Sequence, residues 1–513
     1  MRIGSNIVAT EHDIRKLHLS VEKIQEDLTL PNPDFINMKR FGKGRFFKKI
    51  DSHICYLKKI GEQYIIPRYY FGELKLSSDS TVAGRELSST CSVKLRDYQE
   101  EFFLSNEKVI RNNTGILIEA PCGHGKTCMA IWLAYLRNVQ TMILVPTYYL
   151  AKQWKQRIEE YSTGTVVVLR SSDTEVPLFC DFTIVVMDLF SVRTLPSELI
   201  SNIGHVILDE AHRVGAETYL PILEEIPAKY RTALTATFRR TDGVHRILRY
   251  HFGEHIKMDN RFPRPLVFAI RTGVTVKGVL TKSRPHAHFL EFLDDQRIPY
   301  HETKGAIQFA PKSEYRDLAE KIYKSGFLTK TAYHEITRCL TKSSELSYPV
   351  VDSYLNSHSG RRKTAIRVIQ ECLDAGRTVL FLSKRKDTLN ALYKYFVKYR
   401  PMLIVSETNE RSSEDEEYLQ NTCRLIFGVT QLAKEGLDID RLDTLIIHLP
   451  MKDTEQAIGR ISRLHKDKCV PVCLYLLDDC PVTYAVYNNA KKFFSINAEF
   501  KGEKTLQTLS TIL

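Results

Sequence analysis

Ala120-Pro121-Cys122-Gly123-His124-Gly125-Lys126-Thr127 is the stretch on which the reading of this 513-residue chain turns. An apolar run, Gly115-Ile116-Leu117-Ile118-Glu119, precedes it and reads as a buried strand. Residues 128–136 follow with helical spacing. Strand, glycine-rich turn, Lys-Thr and helix together make a phosphate-cradling loop, because backbone N–H groups of the turn and of the helix start converge on an anion. In such a loop Lys126 reaches the β- and γ-phosphates and the Thr127 hydroxyl ligates Mg2+. Alanine stands at position 120 where the usual pattern has glycine. A Gly-Lys-Thr in a loop also arises by chance, so the rest of the chain has to show a need for a nucleotide.

That need appears downstream at Val206-Ile207-Leu208-Asp209-Glu210-Ala211-His212, an apolar strand ending in paired acids. Asp209 suits a Mg2+ contact through water, and Glu210 can polarise the water that attacks a γ-phosphate. An Asp-Glu pair on the surface after a strand is the bland alternative; the phosphate loop upstream tells against it.

Lys and Arg number 73 against 61 Asp and Glu, a formal charge of +12, which admits a polyanionic partner without requiring one. No apolar run reaches the length of a membrane span, and residues 1–6 lack the apolar core of a signal peptide. Eleven cysteines without CxxC pairs suggest reduced thiols in a cytosol-like compartment. Cys469, Cys473 and Cys480 cluster around a strand-like run and read as core residues, not as metal ligands.

Strand candidates recur at residues 116–118, 142–145, 166–169, 183–187, 205–208 and 232–235, alternating with helical stretches such as 150–161. A second series lies at 378–382, 402–405, 425–428, 444–448 and 471–477, with helices at 364–375 and 387–399. The alternation predicts two parallel sheets wrapped by helices, with ligands at the carboxyl ends of the strands. Four segments follow: 1–90, a small α+β accessory domain; 91–271, the first lobe; 272–362, an inserted helical element and connector with helical signals at 314–325 and 331–340; 363–513, the second lobe. Residues 77–91 are Ser/Thr-rich and read as a linker. Between Met38 and Lys59, eight Lys and Arg stand against one acid, interleaved with Phe41, Phe46, Phe47 and Tyr56. Such a stretch either grips nucleic acid through phosphates and stacked bases, or fills a small core with aromatics and solvates its lysines.

The phosphate loop and Asp209-Glu210-Ala211-His212 resemble the core of superfamily 2 helicases and translocases, the DEAH-box branch. Leu95-Arg96-Asp97-Tyr98-Gln99 is similar to the adenine-reading segment, with Gln99 as base contact. Val145-Pro146-Thr147, with Leu150 and Gln153-Trp154, resembles the first nucleic-acid motif, through Pro146 and Thr147. Thr235-Ala236-Thr237 resembles the motif linking hydrolysis to strand movement. In the second lobe, residues 379–383 resemble its first strand motif. Thr430 with Glu435-Gly436-Leu437-Asp438 resembles a motif touching both ligands, Gly436 and Asp438 on the nucleotide side. Gln456-Ala457-Ile458-Gly459-Arg460-Ile461-Ser462-Arg463 is similar to the family's Gln-x-x-Gly-Arg-x-x-Arg. Arginines spaced by three share a helix face, and a planar, permanently charged guanidinium suits a phosphoryl-transfer transition state.

The resemblance implies two tandem RecA-like lobes and a cofactor set of ATP and Mg2+. Lys126, Asp209, Glu210, Gln456, Arg460 and Arg463 would be catalytic. The nucleotide would lie on Gln99, residues 120–127, Gly436 and Asp438, with the metal at Thr127 and Asp209. Lobe order and the small N-terminal segment look most like the XPB/UvsW-type branch, although Arg240-Thr241-Asp242 departs from its Arg-Glu-Asp. The expected activity is ATP-dependent movement on duplex, forked or branched DNA. RNA unwinding, or service as the motor subunit of a larger complex, is the alternative. DNA is favoured over RNA as partner, with no membrane, a monomer or weak oligomer, and a cytoplasmic, nucleoid or nuclear location.

Overall fold

The computed structural model describes all residues except 33–34, 36–50, 75–77, 122, 174–175, 192–193, 212–215, 239–242, 263, 277–293, 295–299, 304–305, 310–314, 327–329, 331–332, 334–347, 406–411, 431–438, 452–453, 464, 466–467 and 512–513. They form two compact units, Met1–Arg261 and Phe262–Leu513. No helix among the described residues is long and apolar enough to cross a membrane.

The first unit opens with β1 (Arg2–Ile3), β2 (Ile7–Thr10), β3 (Thr29–Pro31), β4 (His53–Cys55), β5 (Lys58–Ile60) and β6 (Gln63–Ile66). An antiparallel sheet in the order β1-β2-β6-β5 carries two short helices, Glu11–Lys16 and Val21–Asp27. Thr10 and Asp13 close the first helix reciprocally: the Asp13 N–H donates to the Thr10 hydroxyl, and the Thr10 N–H donates to the Asp13 carboxylate.

The lobe proper contains β7 (Gly115–Glu119), β8 (Thr141–Val145), β9 (Val166–Leu169), β10 (Phe182–Val186), β11 (His205–Leu208), β12 (Tyr230–Thr235) and β13 (Glu254–Lys257). They lie in the order β13-β7-β12-β11-β8-β10-β9, every pair parallel. The central strands β8, β10 and β11 are buried along their whole length and mostly apolar, as in a parallel sheet covered on both faces. β13 was not expected from the sequence. Its Glu-His-Ile-Lys carries one buried apolar residue, as suits an edge strand.

The second unit contains β14 (Leu266–Thr275), β15 (Tyr300–Thr303), β16 (Ala306–Phe309), β17 (Val379–Ser383), β18 (Met402–Ile404), β19 (Leu425–Val429), β20 (Thr444–Ile447), β21 (Val472–Asp479) and β22 (Glu499–Lys504). Its sheet runs β18-β19-β17-β20-β21-β14-β22, again all parallel. The fold is therefore two tandem RecA-like lobes with a small N-terminal α+β part.

Three expectations need correction. Residues 266–271, placed above in the first lobe, are an interior strand of the second sheet, where Val267, Ala269 and Ile270 are fully buried between β21 and β22. The 272–362 segment is not wholly an insertion. Val274 and Val276 at its start pack with Val351 and Leu355 of the helix Tyr348–Ser357 in one apolar cluster, and within the segment β15 and β16 pair antiparallel. A helix at Tyr315–Lys324 answers the first helical signal. The second falls mostly outside the described residues.

The Ser/Thr-rich stretch 77–91 is also not a free linker. Val82 N–H donates to Pro227 O at 2.7 Å, Arg85 N–H to Asn202 O at 2.9 Å, and Ser92 N–H to Tyr161 O at 2.8 Å. Its hydroxyl-rich composition serves a buried acid. Asp181 accepts from the Ser88 N–H at 2.9 Å, the Ser88 hydroxyl at 3.1 Å and the Thr165 N–H at 3.0 Å. Burial pushes its carboxyl pKa up, but these donors, Ser88 N–H first, more than offset that and hold it below the usual range. The N-terminal sheet likewise shares a core with the lobe: Ile7, Ile24 and Ile66 cluster with Val206, Leu223 and Phe252. Arg68, 1% exposed, donates to Gly4 O and Ala228 O, both at 2.6 Å.

Asp181→Ala should lower unfolding free energy by about 2–4 kcal/mol at neutral pH, because it strands two backbone donors and two hydroxyls. Urea unfolding measures it; a change below about 0.5 kcal/mol would mean that 77–91 is loosely held.

Candidate active site

In the first lobe β7, β12, β11 and β8 are successive neighbours with their carboxyl ends aligned: Thr235 is opposite Glu119, and Leu208 is opposite both Ala233 and Leu144. The loops leaving them therefore meet along one edge, where open parallel sheets bind ligands. Those loops carry Ala120–Thr127, Thr235–Thr237, Asp209–Glu210 and Pro146–Thr147.

The phosphate loop is shaped by glycine. Gly123 and Gly125 have φ of 82° and 74°. At Gly125 a Cβ would also lie 2.6 Å from Gln99 Nε2, so no other residue fits without displacing that amide. Helix Lys126–Arg137 begins directly after Gly125, exposing its first N–H groups to the loop, and closes on Asn138 in the left-handed conformation. Ala120 is fully buried, and its N–H donates to Thr235 O at 3.0 Å. Pro121 O accepts from the His124 N–H at 3.3 Å. His124 is buried with its ring edge-on to Tyr98. Lys126 Nζ donates to Ala120 O at 3.1 Å, and Thr127 follows it in the first turn. Cys122 lies outside the described residues. Gln99 is 2% exposed; its amide donates to His124 O at 2.8 Å and accepts from the Arg96 N–H at 2.9 Å. Gln99 thus braces the phosphate loop, a role that the sequence did not suggest.

On the next loop Asp209 is 6% exposed. Its Oδ1 accepts from the Glu210 N–H at 2.8 Å and its Oδ2 from the Trp154 indole N–H at 2.8 Å. Burial, then the neighbouring Glu210 carboxylate, pushes its pKa up to about 6, against the pull of the Trp154 donor and of Lys126. Lys126 and Asp209 therefore feel one another's charge. Glu210 has φ of +50°, a conformation that costs a non-glycine residue of order 1 kcal/mol and is found mainly at functional turns. A buried carboxylate within electrostatic reach of a lysine that opens a helix, with a threonine next in its first turn, fits a Mg2+–nucleotide. His212 lies outside the described residues.

Beyond these, the Thr235 hydroxyl donates to Thr237 O at 2.7 Å and accepts from the Thr237 N–H at 3.2 Å, folding Thr235-Ala236-Thr237 into a tight turn. Thr147 caps the helix Tyr148–Tyr161 by accepting from the Leu150 N–H, with Pro146 just before it. Trp154 sits inside that helix, 1% exposed. The sequence placed it in a nucleic-acid motif; the structure turns it inward to Asp209.

In the second unit Thr430 follows β19, and its N–H donates to Ser383 O at 3.1 Å. Glu435, Gly436, Leu437 and Asp438 lie outside the described residues. Gln456 and Arg460 belong to the helix Thr454–Ile461, and Arg460 is half-buried. Arg463 does not share a face of that helix with Arg460, because the helix ends at Ile461. Ser462 Oγ bonds back to Ile458 O at 3.0 Å, and Lys468 Nζ takes up Arg463 O at 2.7 Å. Arg463 itself points to Asp440 at 3.4 Å. Among the clustered cysteines, Cys473 and Cys480 are buried and Cys469 is exposed.

Residues 92–240 match the family described as "Type III restriction enzyme, res subunit". Over 472 residues the chain is 23% identical to the "Putative ATP-dependent RNA helicase L396" of Acanthamoeba polyphaga mimivirus, covering 90% of this chain and 78% of that protein. Over 155 residues it is 32% identical to "DNA 3'-5' translocase XPB2" of Sulfurisphaera tokodaii, covering 30% of this chain and 33% of that one. Among solved structures it is similar to a single-residue variant of S. cerevisiae Dbp5 bound to RNA and ADP BeF3, with a TM-score of 0.47, 12% identity, and coverage of 82% of this chain and 96% of that one. The family match and the two sequence relatives support a superfamily 2 helicase.

The buried Asp209 makes a prediction about stability. Its raised folded pKa means that the folded state keeps this proton when the unfolded chain has released it, so stability falls as pH rises from about 4 to about 6. Asp209→Asn, neutral at every pH, should therefore stabilise the nucleotide-free protein by about 1–3 kcal/mol above pH 7, the gain shrinking towards pH 4. Thermal unfolding across that range measures it. An Asn variant less stable than wild type at pH 7.5 would contradict the electrostatic account.

Proposed function

We propose that the chain is an ATP-dependent DNA helicase or translocase, acting on duplex, forked or branched DNA. The observation that carries the reading is the alignment of four loops on one sheet edge: the phosphate loop, the acidic pair, the Thr-Ala-Thr turn and the Pro-Thr helix start. Lys126 holds the β- and γ-phosphates, with the loop N–H groups around them. Thr127 and, through water, Asp209 hold Mg2+, which when bound neutralises charge developing on the transferred phosphoryl group. Glu210 orients the attacking water. Arg460 and Arg463 stabilise the negative charge of the transferred phosphoryl group, with Gln456 in the same motif, and Gly436 and Asp438 are the further nucleotide contacts that the motif resemblance implies.

Pro146, Thr147, Thr235–Thr237 and Thr430 contact the strand or couple it to hydrolysis, so that the ATP cycle becomes movement along it. The 32% identity over 155 residues to a protein named as a DNA 3'-5' translocase supports DNA as the partner. The XPB/UvsW-type, DEAH-box branch and a role in repair or recombination are our extension of the motif resemblance. The name carried by the mimivirus relative supports the second reading, an RNA helicase. A place as the motor subunit of a larger assembly is compatible with either.

Wild type should hydrolyse ATP faster in the presence of forked DNA. Lys126→Ala and Glu210→Gln should each lose at least about a hundredfold in rate, the usual effect of removing a positioned charge or base from such a site. A phosphate-release assay with matched DNA and RNA forks checks both statements. Equal hydrolysis in wild type and variants would refute the motor; stronger stimulation by RNA would replace DNA by the second reading.

A further inference from the structure

The helix Tyr148–Tyr161 has two faces with different business. Its inward face packs Leu150, Ala151 and Ile158 into the lobe core and aims the Trp154 indole N–H at Asp209 Oδ2, 2.8 Å away. Its outer start presents Tyr148, 38% exposed, with the Arg170 guanidinium 4.5 Å and the Lys152 ammonium 5.0 Å from the ring centre. A partly exposed ring with two cations over it, Arg170 also 3.5 Å from Asp173, gathers phosphate-binding charge around an aromatic side chain, the combination that single strands engage. Tyr148 and Trp154 are six residues apart, roughly 9 Å along one hydrogen-bonded rod, so displacement of the start carries the indole with it.

The Asp209 carboxylate is held from two sides. The Glu210 N–H belongs to its own loop and moves with it. Among the described residues, the Trp154 bond is the one that reaches this carboxylate from another element. A hydrogen bond at 2.8 Å tolerates only a few tenths of an ångström before it weakens, so a small helix shift is enough to reset the carboxylate.

We propose that Trp154 is a positioning residue through which a nucleic-acid strand held at the start of this helix sets the orientation of Asp209. The inference rests on the motor reading above and adds the route by which strand binding is felt at the nucleotide. Trp154 touches neither ligand; it acts through Asp209. Its bulk in the core is a separate, structural contribution, and the test has to tell the two apart.

The chain has two tryptophans, so in Trp132→Phe the Trp154 indole is the only one. Adding a single-stranded DNA oligonucleotide, or RNA of the same sequence, should shift the indole emission of that protein in the absence of nucleotide. Tyr148→Ala, on the exposed face, should abolish the shift. In Trp154→Phe, which keeps an aromatic ring and removes the donor, calorimetry should show ADP binding about tenfold weaker with Mg2+ and unchanged within about twofold in EDTA, since only the metal-side carboxylate is released. The stimulation of hydrolysis by the oligonucleotide should fall with it.

An emission that does not respond to the bound strand would overturn the proposal. So would a Trp154→Phe protein that binds ADP equally weakly with and without Mg2+, which is the signature of lost packing alone. If wild type shows no strand-stimulated hydrolysis, the motor reading fails; the Mg2+ difference, read from binding alone, still reports on the Trp154–Asp209 link.

Discussion

Three backbone hydrogen bonds extend the parallel ladder of the first lobe past the ends of its strands. Ala120 N–H donates to Thr235 O, Asp209 N–H to Leu144 O, and Ala211 N–H to Leu234 O, at 3.0, 3.0 and 2.9 Å. The loops that carry the chemistry are thereby pinned to each other before any side chain acts. A parallel sheet makes this possible, because all its carboxyl ends share one edge. Without that registration Lys126 and Asp209, 83 positions apart by their numbering, would not share an electrostatic environment. Gln99 completes the arrangement by holding the phosphate loop from beneath, so that the loop shape does not depend on a ligand to define it.

The site carries strain that the rest of the lobe supports. Asp209 is a buried acid pushed towards neutrality, and Glu210 is held at positive φ. Both are unfavourable in a fold optimised for stability alone and are tolerated where neighbouring structure over-determines them. The second lobe treats buried charge differently. Arg361 and Asp478 are both fully buried, and Arg361 Nε contacts both carboxylate oxygens at 2.9 Å. The Thr272 hydroxyl donates to the same carboxylate at 2.5 Å, and His448 stands against the guanidinium, with burial and then Arg361 holding the imidazole well below its usual pKa. Every charge there has a partner, so the network ties β14, β21 and the loop after β20 into one rigid corner.

Much of this was legible in the residues, for reasons that also explain what was not. Strands such as Val166–Leu169 and His205–Leu208 belong to a covered parallel sheet and read as short apolar runs with the observed limits. Edge strands of charged sequence escape that signal: Glu499–Lys504 alternates exposed and half-buried positions, and Glu254–Lys257 buries a single apolar side chain. The strand Leu266–Thr275 was not among the expected strands, and its first residues were assigned to the first lobe, because local hydrophobicity does not say which sheet a segment joins. Composition misled at residues 77–91, where hydroxyl side chains that suggest a flexible linker satisfy a buried aspartate instead. At the candidate site, motif spacing singled out Lys126, Asp209 and Glu210, whose loops leave one edge of the sheet. The inward turn of Trp154 depends on helix phase relative to a strand 51 or more positions away, which no local pattern encodes.

The central claim is that Ala120–Thr127 and Asp209 together form one Mg2+–nucleotide site. A crystal structure with a non-hydrolysable ATP analogue and Mg2+ tests it most directly. The account predicts the β- and γ-phosphates within the loop N–H groups, Lys126 Nζ turned from Ala120 O to a phosphate oxygen, and Asp209 hydrogen-bonded to a water on the metal with Trp154 still on its other oxygen. A nucleotide bound elsewhere on the lobe, or phosphates in the loop with the metal held by groups other than Thr127 and Asp209, would contradict it.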